Sequence, residues 1–241
     1  VLICGVNSES TVQAQVDAQD AQSADADAIM VFPPSSWATA ATQDMIVAHH
    51  KAIIEATELP IFLYQAPISM GPMAYSRDVI EALISLPRVI GIKEGSWEVA
   101  TYEANRRLVK SAKPSLAVMA SGDEHLLTSF ILGSEGSIVS LAIIIPEVIV
   151  CLDEAVRRGD LAGALEAHEI IYPLAKAIYG SPPANLATAR LKTCLRLLGR
   201  LECDAMRLPI LPLCDDEVDR LRNVLLETGL LPNDSAMAAN G

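Results

Sequence analysis

Lys93 closes the apolar run Val89-Ile90-Gly91-Ile92 and is followed at once by Glu94-Gly95-Ser96. The run is short, β-branched and flanked by turn-forming residues, so it reads as a buried strand. A lysine at the exit of such a strand holds its ammonium where water is scarce. Desolvation disfavours the charged form, lowers the pKa and frees a neutral amine. A neutral amine attacks carbonyls, which is Schiff-base chemistry. Taken alone, the residue more often reads as a lysine that snorkels to water at the strand end.

A second apolar run, Leu59-Pro60-Ile61-Phe62-Leu63-Tyr64, ends in Tyr64-Gln65-Ala66-Pro67. A phenol both donates and accepts, so a tyrosine at a strand exit can shuttle protons; the other reading is a core tyrosine with a satisfied hydroxyl. Between the two runs lies a helical stretch, Ser76 to Leu86, with apolar Val79, Ile80, Leu83 and Ile84. This strand–helix–strand unit places Tyr64 and Lys93 at the same end of adjacent parallel strands.

The elements that must position these two residues alternate along the chain. Strands are expected at Val1–Gly5, Ala28–Phe32, the Tyr64 run, the Lys93 run, Ser115–Ala120 and Gly136–Ser140. Helices follow each, from the Ser10 cap to about Ala24, then Thr42–Thr57, Ser76–Leu86, Trp97–Ala112, Glu124–Leu132 and Pro146–Arg158. Six strand–helix pairs are the pattern of a parallel α/β fold. After Gly159 strands cease, and Leu161–Tyr179, Ala184–Leu198 and Asp215–Thr228 read as three helices. Residues 1–158 are thus expected to form the α/β part and 159–231 an all-helical appendage. Small polar residues over 232–241 read as a disordered tail.

The 241 residues, 51% of them hydrophobic, suffice for one large core. A net charge of −12 without a basic stripe, and only 4% aromatic residues, argue against nucleic acid and anionic membrane surfaces as partners. No run reaches the ~18 apolar residues of a membrane span. Cys4, Cys151, Cys194, Cys203 and Cys214 form no CxxC pair, which fits reduced thiols in a cytoplasmic protein. His49 and His50 are neighbours and point in different directions on a helix, so they make no metal pair and have a solvated or packing role. No strand is followed by a glycine-rich phosphate loop, which disfavours a nucleotide-binding reading. The opening, Val1-Leu2-Ile3-Cys4-Gly5, has neither Met nor a basic n-region and reads as a strand met in mid-fold.

Together these segments resemble the pyruvate-dependent class I aldolases typified by dihydrodipicolinate synthase and N-acetylneuraminate lyase. Gly91-Ile92-Lys93-Glu94-Gly95-Ser96 resembles the family's Schiff-base lysine motif. Leu63-Tyr64-Gln65-Ala66-Pro67, with Gly71 after it, resembles the catalytic tyrosine motif, although Asn is commoner where Gln65 stands. Ser121-Gly122-Asp123-Glu124 resembles the glycine turn that contacts bound pyruvate. Gly136-Ser137-Ile138-Val139-Ser140 resembles the next strand, whose Ile138 would flank the imine, and Arg207-Leu208-Pro209 with Pro212-Leu213 resembles the link before the last helix. The resemblance covers nearly all of residues 1–231. It implies a (β/α)₈ TIM barrel, Lys93 as the imine-forming residue, Tyr64 as proton relay, substrate contacts near Gly122 and Ile138, a 2-oxo acid as small-molecule substrate, and a homo-oligomer, dimer or tetramer. No metal or organic cofactor is implied.

Two departures stand out. The family barrel has eight βα units and six are visible here, so the first two, with the Gly-Thr-Thr-type loop for the pyruvate carboxylate, are expected to be missing from this chain. The Val1–Gly5 and Gly136–Ser140 strands would then be open edges, and the 241-residue chain alone is expected to aggregate or be inactive. Second, synthases of the family have Pro-Tyr-Tyr, whose tyrosine serves a proton relay, where this chain has Pro33-Pro34-Ser35-Ser36-Trp37. They also carry a carboxylate-binding arginine where Ser69 stands. Serine lacks a charged bidentate fork. Ser35, Ser36, Trp37 and Ser69 are therefore expected to shape a distal pocket for a different substrate. The resulting expectation is a lyase, aldolase or dehydratase acting on 2-keto-3-deoxy sugar acids or other pyruvate-derived 2-oxo acids. The alternatives are a true synthase condensing pyruvate with aspartate semialdehyde, and a truncated, catalytically impaired member with only an assembly role.

Overall fold

A computed structural model describes residues 1–232. The tail expected over 232–241 lies, from residue 233 on, outside the described residues. The chain divides into two compact units, Val1–Ile138 and a second that begins at Val139.

The first unit alternates strands and helices: β1 (Ile3–Val6), α1 (Thr11–Ser23), β2 (Ala28–Val31), α2 (Gln43–Ala56), β3 (Ile61–Gln65), α3 (Arg77–Ile84), β4 (Val89–Glu94), α4 (Val99–Ala112), β5 (Ala117–Ala120), α5 (Leu126–Ile131) and β6 (Gly136–Ser137). The strands form one six-stranded parallel sheet in chain order, with β1 and β6 at its edges. Local chemistry sets the helix starts. Ser10, Thr42 and Ser76 each accept a hydrogen bond from the backbone N–H three residues on, which satisfies an otherwise orphaned donor. α1 buries only the small residues Ala14, Ala18 and Ala21, while α3 buries the stripe Val79, Ile80, Leu83 and Ile84.

The central strands are apolar on both faces, as parallel strands covered on both sides must be. Ile29, Val31, Ile61, Leu63, Ile92 and Val118 are at most 1% exposed. On the other face Ala28, Met30 and Phe62 form a buried cluster, against which Ile3, Phe32, Tyr64, Met119 and Ile138 pack.

One irregularity decides which way β4 faces. Ile61 pairs with Val89, but Phe62 pairs with Gly91, so the register shifts by one residue at Ile90. Ile90 is 42% exposed whereas Val89 is 1% exposed. In unbroken pairing from Ile61, Tyr64 would stand opposite Ile92 and Lys93 would point to the helix-covered face. The extra residue reverses that alternation and sets Tyr64 opposite Lys93.

Several boundaries differ from the sequence reading. The last strand, expected over Gly136–Ser140, is only two residues long. Its ladder ends where β5 does: Ile138 N–H donates to Ala120 O, and beyond Ala120 the chain turns at Gly122. The residues after it form a 3₁₀ turn at Ser140–Ile143. The Glu124–Leu132 helix starts as a 3₁₀ turn over Asp123–His125. Two loops are also wound into 3₁₀ turns, Ser35–Ala38 and Ile68–Met73. His49 and His50 are buried and have the packing role, not the solvated one. Thr11 Oγ1 lies 2.9 Å from His49 Nδ1, and His50 Nδ1 lies 2.8 Å from Ile46 O. Burial holds the His50 pKa down at about 4.

The second unit is helical among the described residues: α6 (Pro146–Arg158), α7 (Leu161–Tyr179), α8 (Ala187–Leu197) and α9 (Asp215–Glu227). Arg190 of α8 is 1% exposed, a costly place for a charge. Its guanidinium donates to Glu217 Oε1 at 2.6 Å and to the carbonyls of Ile178 and Ser181, both at 2.8 Å, so α7, α8 and α9 meet on one satisfied cation. No helix among the described residues is long and apolar enough to cross a membrane. All five cysteines are free thiols.

Gly95, just past β4, donates its N–H to Gln65 O at 3.1 Å, and a Cβ there would stand 2.6 Å from that oxygen. Backbone cannot yield as a side chain tip does. Gly95→Ala should therefore cost about 1–3 kcal/mol, the usual range for overpacking. Urea denaturation should show a lower midpoint with an unchanged slope, and an unchanged midpoint would refute the contact.

Candidate active site

The strand exits bring the candidate residues to one end of the sheet. Tyr64 and Lys93 are register partners on β3 and β4, each one residue before its strand ends. Lys93 Nζ lies 5.2 Å from the centre of the Tyr64 ring, within reach of a cation–π contact when the amine is protonated. The Phe32 ring lies 4.5 Å from the Tyr64 ring, tilted by 34°. Met119 pairs with Lys93 from β5. Met119, Phe32, Tyr64 and Ile138 all pack on the same cluster, so the lysine rises from an apolar floor.

Gly122 follows β5 at φ 88°, a left-handed conformation that costs glycine little. This turn carries Asp123, which is 3% exposed. Asp123 is the neighbour that the sequence reading did not single out, although its position directly after a strand-exit glycine marks it. Burial pushes the Lys93 pKa down, and the Asp123 charge opposes that in part. Burial pushes the Tyr64 phenol up, with the Glu94 charge acting in the same direction, so the phenol keeps its proton. An amine with lowered proton affinity beside a phenol that holds its proton has the chemistry of a nucleophile with a proton donor at hand.

Ser35 and Ser69 lie farther out on the same end, on the Ser35–Ala38 and Ile68–Met73 turns, and both are exposed. The two turns pack together. Glu9 accepts from the N–H groups of Ser35 at 2.9 Å and Ser36 at 3.0 Å, and both serine hydroxyls also reach its carboxylate. These donors, the backbone N–H groups first, hold the Glu9 carboxyl below its ordinary range. Trp37 does not share this rim. Its indole is 7% exposed, with its ring 5.3 Å from that of His49 and 6.4 Å from that of His50. The expected cluster thus separates into the register pair Tyr64 and Lys93, with Ile138 packed on the same apolar cluster as Tyr64, Gly122 on the turn after β5, and the exposed Ser35 and Ser69 on two outer turns.

Residues 1–228 match the family model described as the dihydrodipicolinate synthetase family. The 4-hydroxy-tetrahydrodipicolinate synthase of Neisseria meningitidis serogroup B is 30% identical over 231 residues, which span 95% of this chain and 75% of that protein. The enzyme of the same name from Rhodopseudomonas palustris is 29% identical over 95% of this chain and 74% of its own. Among solved structures, YagE, an Escherichia coli K12 prophage protein of this family in complex with pyruvate, superposes with a TM-score of 0.86 at 25% identity. It covers 95% of this chain and 75% of its own. Dihydrodipicolinate synthase from Thermotoga maritima superposes at 0.84 with 27% identity, over 95% of this chain and 75% of its own. The fold is the TIM-barrel type of these proteins. The chain belongs to the dihydrodipicolinate synthetase family, whose members are pyruvate-dependent class I lyases and aldolases.

Proposed function

We propose that the protein forms a Schiff base through Lys93 with pyruvate-derived 2-oxo acids and acts on them as a lyase, aldolase or dehydratase. The observation that carries this reading is the half-buried Lys93 amine, its Nζ 5.2 Å from the Tyr64 ring and its pKa lowered by burial. The neutral amine attacks the C2 carbonyl. The carbinolamine oxygen takes a proton relayed by Tyr64 and leaves as water, giving a protonated imine. That cation is an electron sink, so a C3 proton departs or the C3–C4 bond breaks to form an enamine. The Asp123 carboxylate favours positive charge on the Lys93 nitrogen, and so favours the iminium. Gly122 and Ile138 flank the imine, while Ser35 and Ser69 line the distal pocket. On this reading residues 1–158 supply the third to eighth βα units of the family barrel, and 159–231 the helical region. Five free thiols suit the reducing cytoplasm.

The rim favours 2-keto-3-deoxy sugar acids as the substrate class. The short neutral hydroxyl of Ser69, and that of Ser35 beside the Glu9 carboxylate it bonds, suit a polyhydroxylated tail, and neither serine can clamp a second carboxylate. The second reading, a true synthase condensing pyruvate with aspartate semialdehyde, is favoured by the relatives that are named 4-hydroxy-tetrahydrodipicolinate synthase.

Borohydride with pyruvate should leave a reduced adduct on Lys93 in the full-length protein, located by peptide mapping. A label on another lysine, or none with any 2-oxo acid, sinks the mechanism. The trapping rate should rise with pH along a limb below the ordinary lysine range, because burial lowers the Lys93 pKa. Asp123→Asn removes the charge that raises this pKa, so the limb should move to lower pH.

Tyr64→Phe should slow turnover about 10²–10⁴-fold, the span of one positioned acid–base group. The imine should still form, slowly, and near-normal turnover would leave Tyr64 a packing residue.

Condensation with aspartate semialdehyde should be poor. A lost charged hydrogen bond to a carboxylate is worth about 1.5–3 kcal/mol, roughly tenfold to over a hundredfold in binding. Efficient synthesis at low aldehyde concentration would reverse the choice between the two readings.

A further inference from the structure

Adjacent residues of a strand point to opposite faces of its sheet. With Lys93 on the face of Tyr64 and Met119, Glu94 faces the covering helices and is 1% exposed. An ionised carboxylate offers only acceptors, and burying it unpaired is costly. Here three donors come from the segment that follows β4. Ser96 Oγ donates to Glu94 Oε2 at 2.9 Å, and Ser96 N–H donates to the same oxygen at 3.4 Å. Asn105 Nδ2, on α4, donates to Oε1 at 2.8 Å. One oxygen therefore grips the turn and the other grips the helix.

The same turn is tied to β3. Gly95 N–H donates to Gln65 O at 3.1 Å, and Ile68 N–H donates to Ser96 O at 3.2 Å. Gln65 Oε1 in turn accepts from Tyr75 N–H at 3.2 Å, ahead of α3. The exits carrying Lys93 and Tyr64 are thus bound to each other through the segment that Glu94 holds.

We infer that Glu94 is a positioning residue for Lys93. Its carboxylate fixes the backbone at the β4 exit so that the amine meets a carbonyl carbon at the angle and distance that attack requires. The inference rests on Lys93 being the imine-forming residue. Glu94 itself never touches substrate. Its leverage is geometric, since a misplacement of about 1 Å can cost on the order of a hundredfold in rate.

A donor–acceptor swap tests this. Glu94→Gln keeps the shape but turns one acceptor oxygen into a donor, so that either Ser96 Oγ must turn to accept from it or the Asn105 amide must flip, and the present set of hydrogen bonds is disturbed. Asn105→Asp in the same chain restores the pairing and the net charge. Glu94→Gln should slow pyruvate-dependent borohydride trapping at Lys93 about tenfold to a hundredfold at saturating pyruvate, while the half-saturating concentration stays within about twofold. The double variant should recover most of the loss. Ser96→Ala, which deletes one donor and no charge, should slow trapping less and in the same direction, and it serves if Glu94→Gln does not fold. Full-rate trapping in Glu94→Gln, a loss that Asn105→Asp does not recover, or, where Ser96→Ala stands in, its full-rate trapping, overturns the positioning role while the wild-type adduct stands. No adduct in any form, wild type included, removes the Schiff-base reading and this inference with it.

Discussion

The parallel pairing of β3 with β4 is the constraint on which the site depends. It sets Tyr64 opposite Lys93 and, by alternation, sends Glu94 to the other side of the sheet. Everything chemical about the lysine follows from where that pairing puts it. Toward the Tyr64 face it meets apolar side chains from neighbouring strands, which lowers its affinity for a proton. Toward the helices it would have met a packed hydrocarbon layer and no space for a substrate.

Opposed electrostatic influences set the working state of the pair. Burial alone would make Lys93 a good nucleophile and a poor iminium. The Asp123 charge acts in the other direction. On the proposed Schiff-base reading, one environment must serve an amine that is neutral before attack and a nitrogen that is cationic after it, and a carboxylate on the next strand's exit is a compromise between the two. Burial raises the Tyr64 phenol pKa, and the neighbouring Glu94 charge adds to it. Burial also raises the Glu94 pKa, against the pull of its own hydrogen bonds from Asn105 and Ser96.

Much of this was legible in the residues. Lys93 and Tyr64 stood out because each ends an apolar, β-branched run just before turn-formers. The helices Pro146–Arg158 and Leu161–Tyr179 fell where expected because Pro146 and Gly159 punctuate them chemically. What escaped depends on tertiary context. Ile90 is apolar within an apolar run, so nothing local distinguishes it from a regular strand position. The length of β6 is set by where its neighbour ends, which its own residues do not encode. Asp123 and Glu94 look like surface acids until the fold buries them, and Trp37 looks like a loop residue until its ring meets those of His49 and His50. The matching family segments marked the exits, and on the proposed reading the exposed turns of Ser35 and Ser69 are where substrate identity is decided.

The register shift at Ile90 has a consequence for how this segment tolerates change. Its side chain is 42% exposed, so most replacements there should fall within about ±0.5 kcal/mol. Losing the position altogether would be a different kind of event. The four residues after it would each exchange faces, carrying the amine into the helices and the Glu94 carboxylate into the substrate space. Identity at position 90 is thus open to drift while chain length through β4 is fixed, and deletions between residues 89 and 94 should be far rarer among functional variants than substitutions at 90.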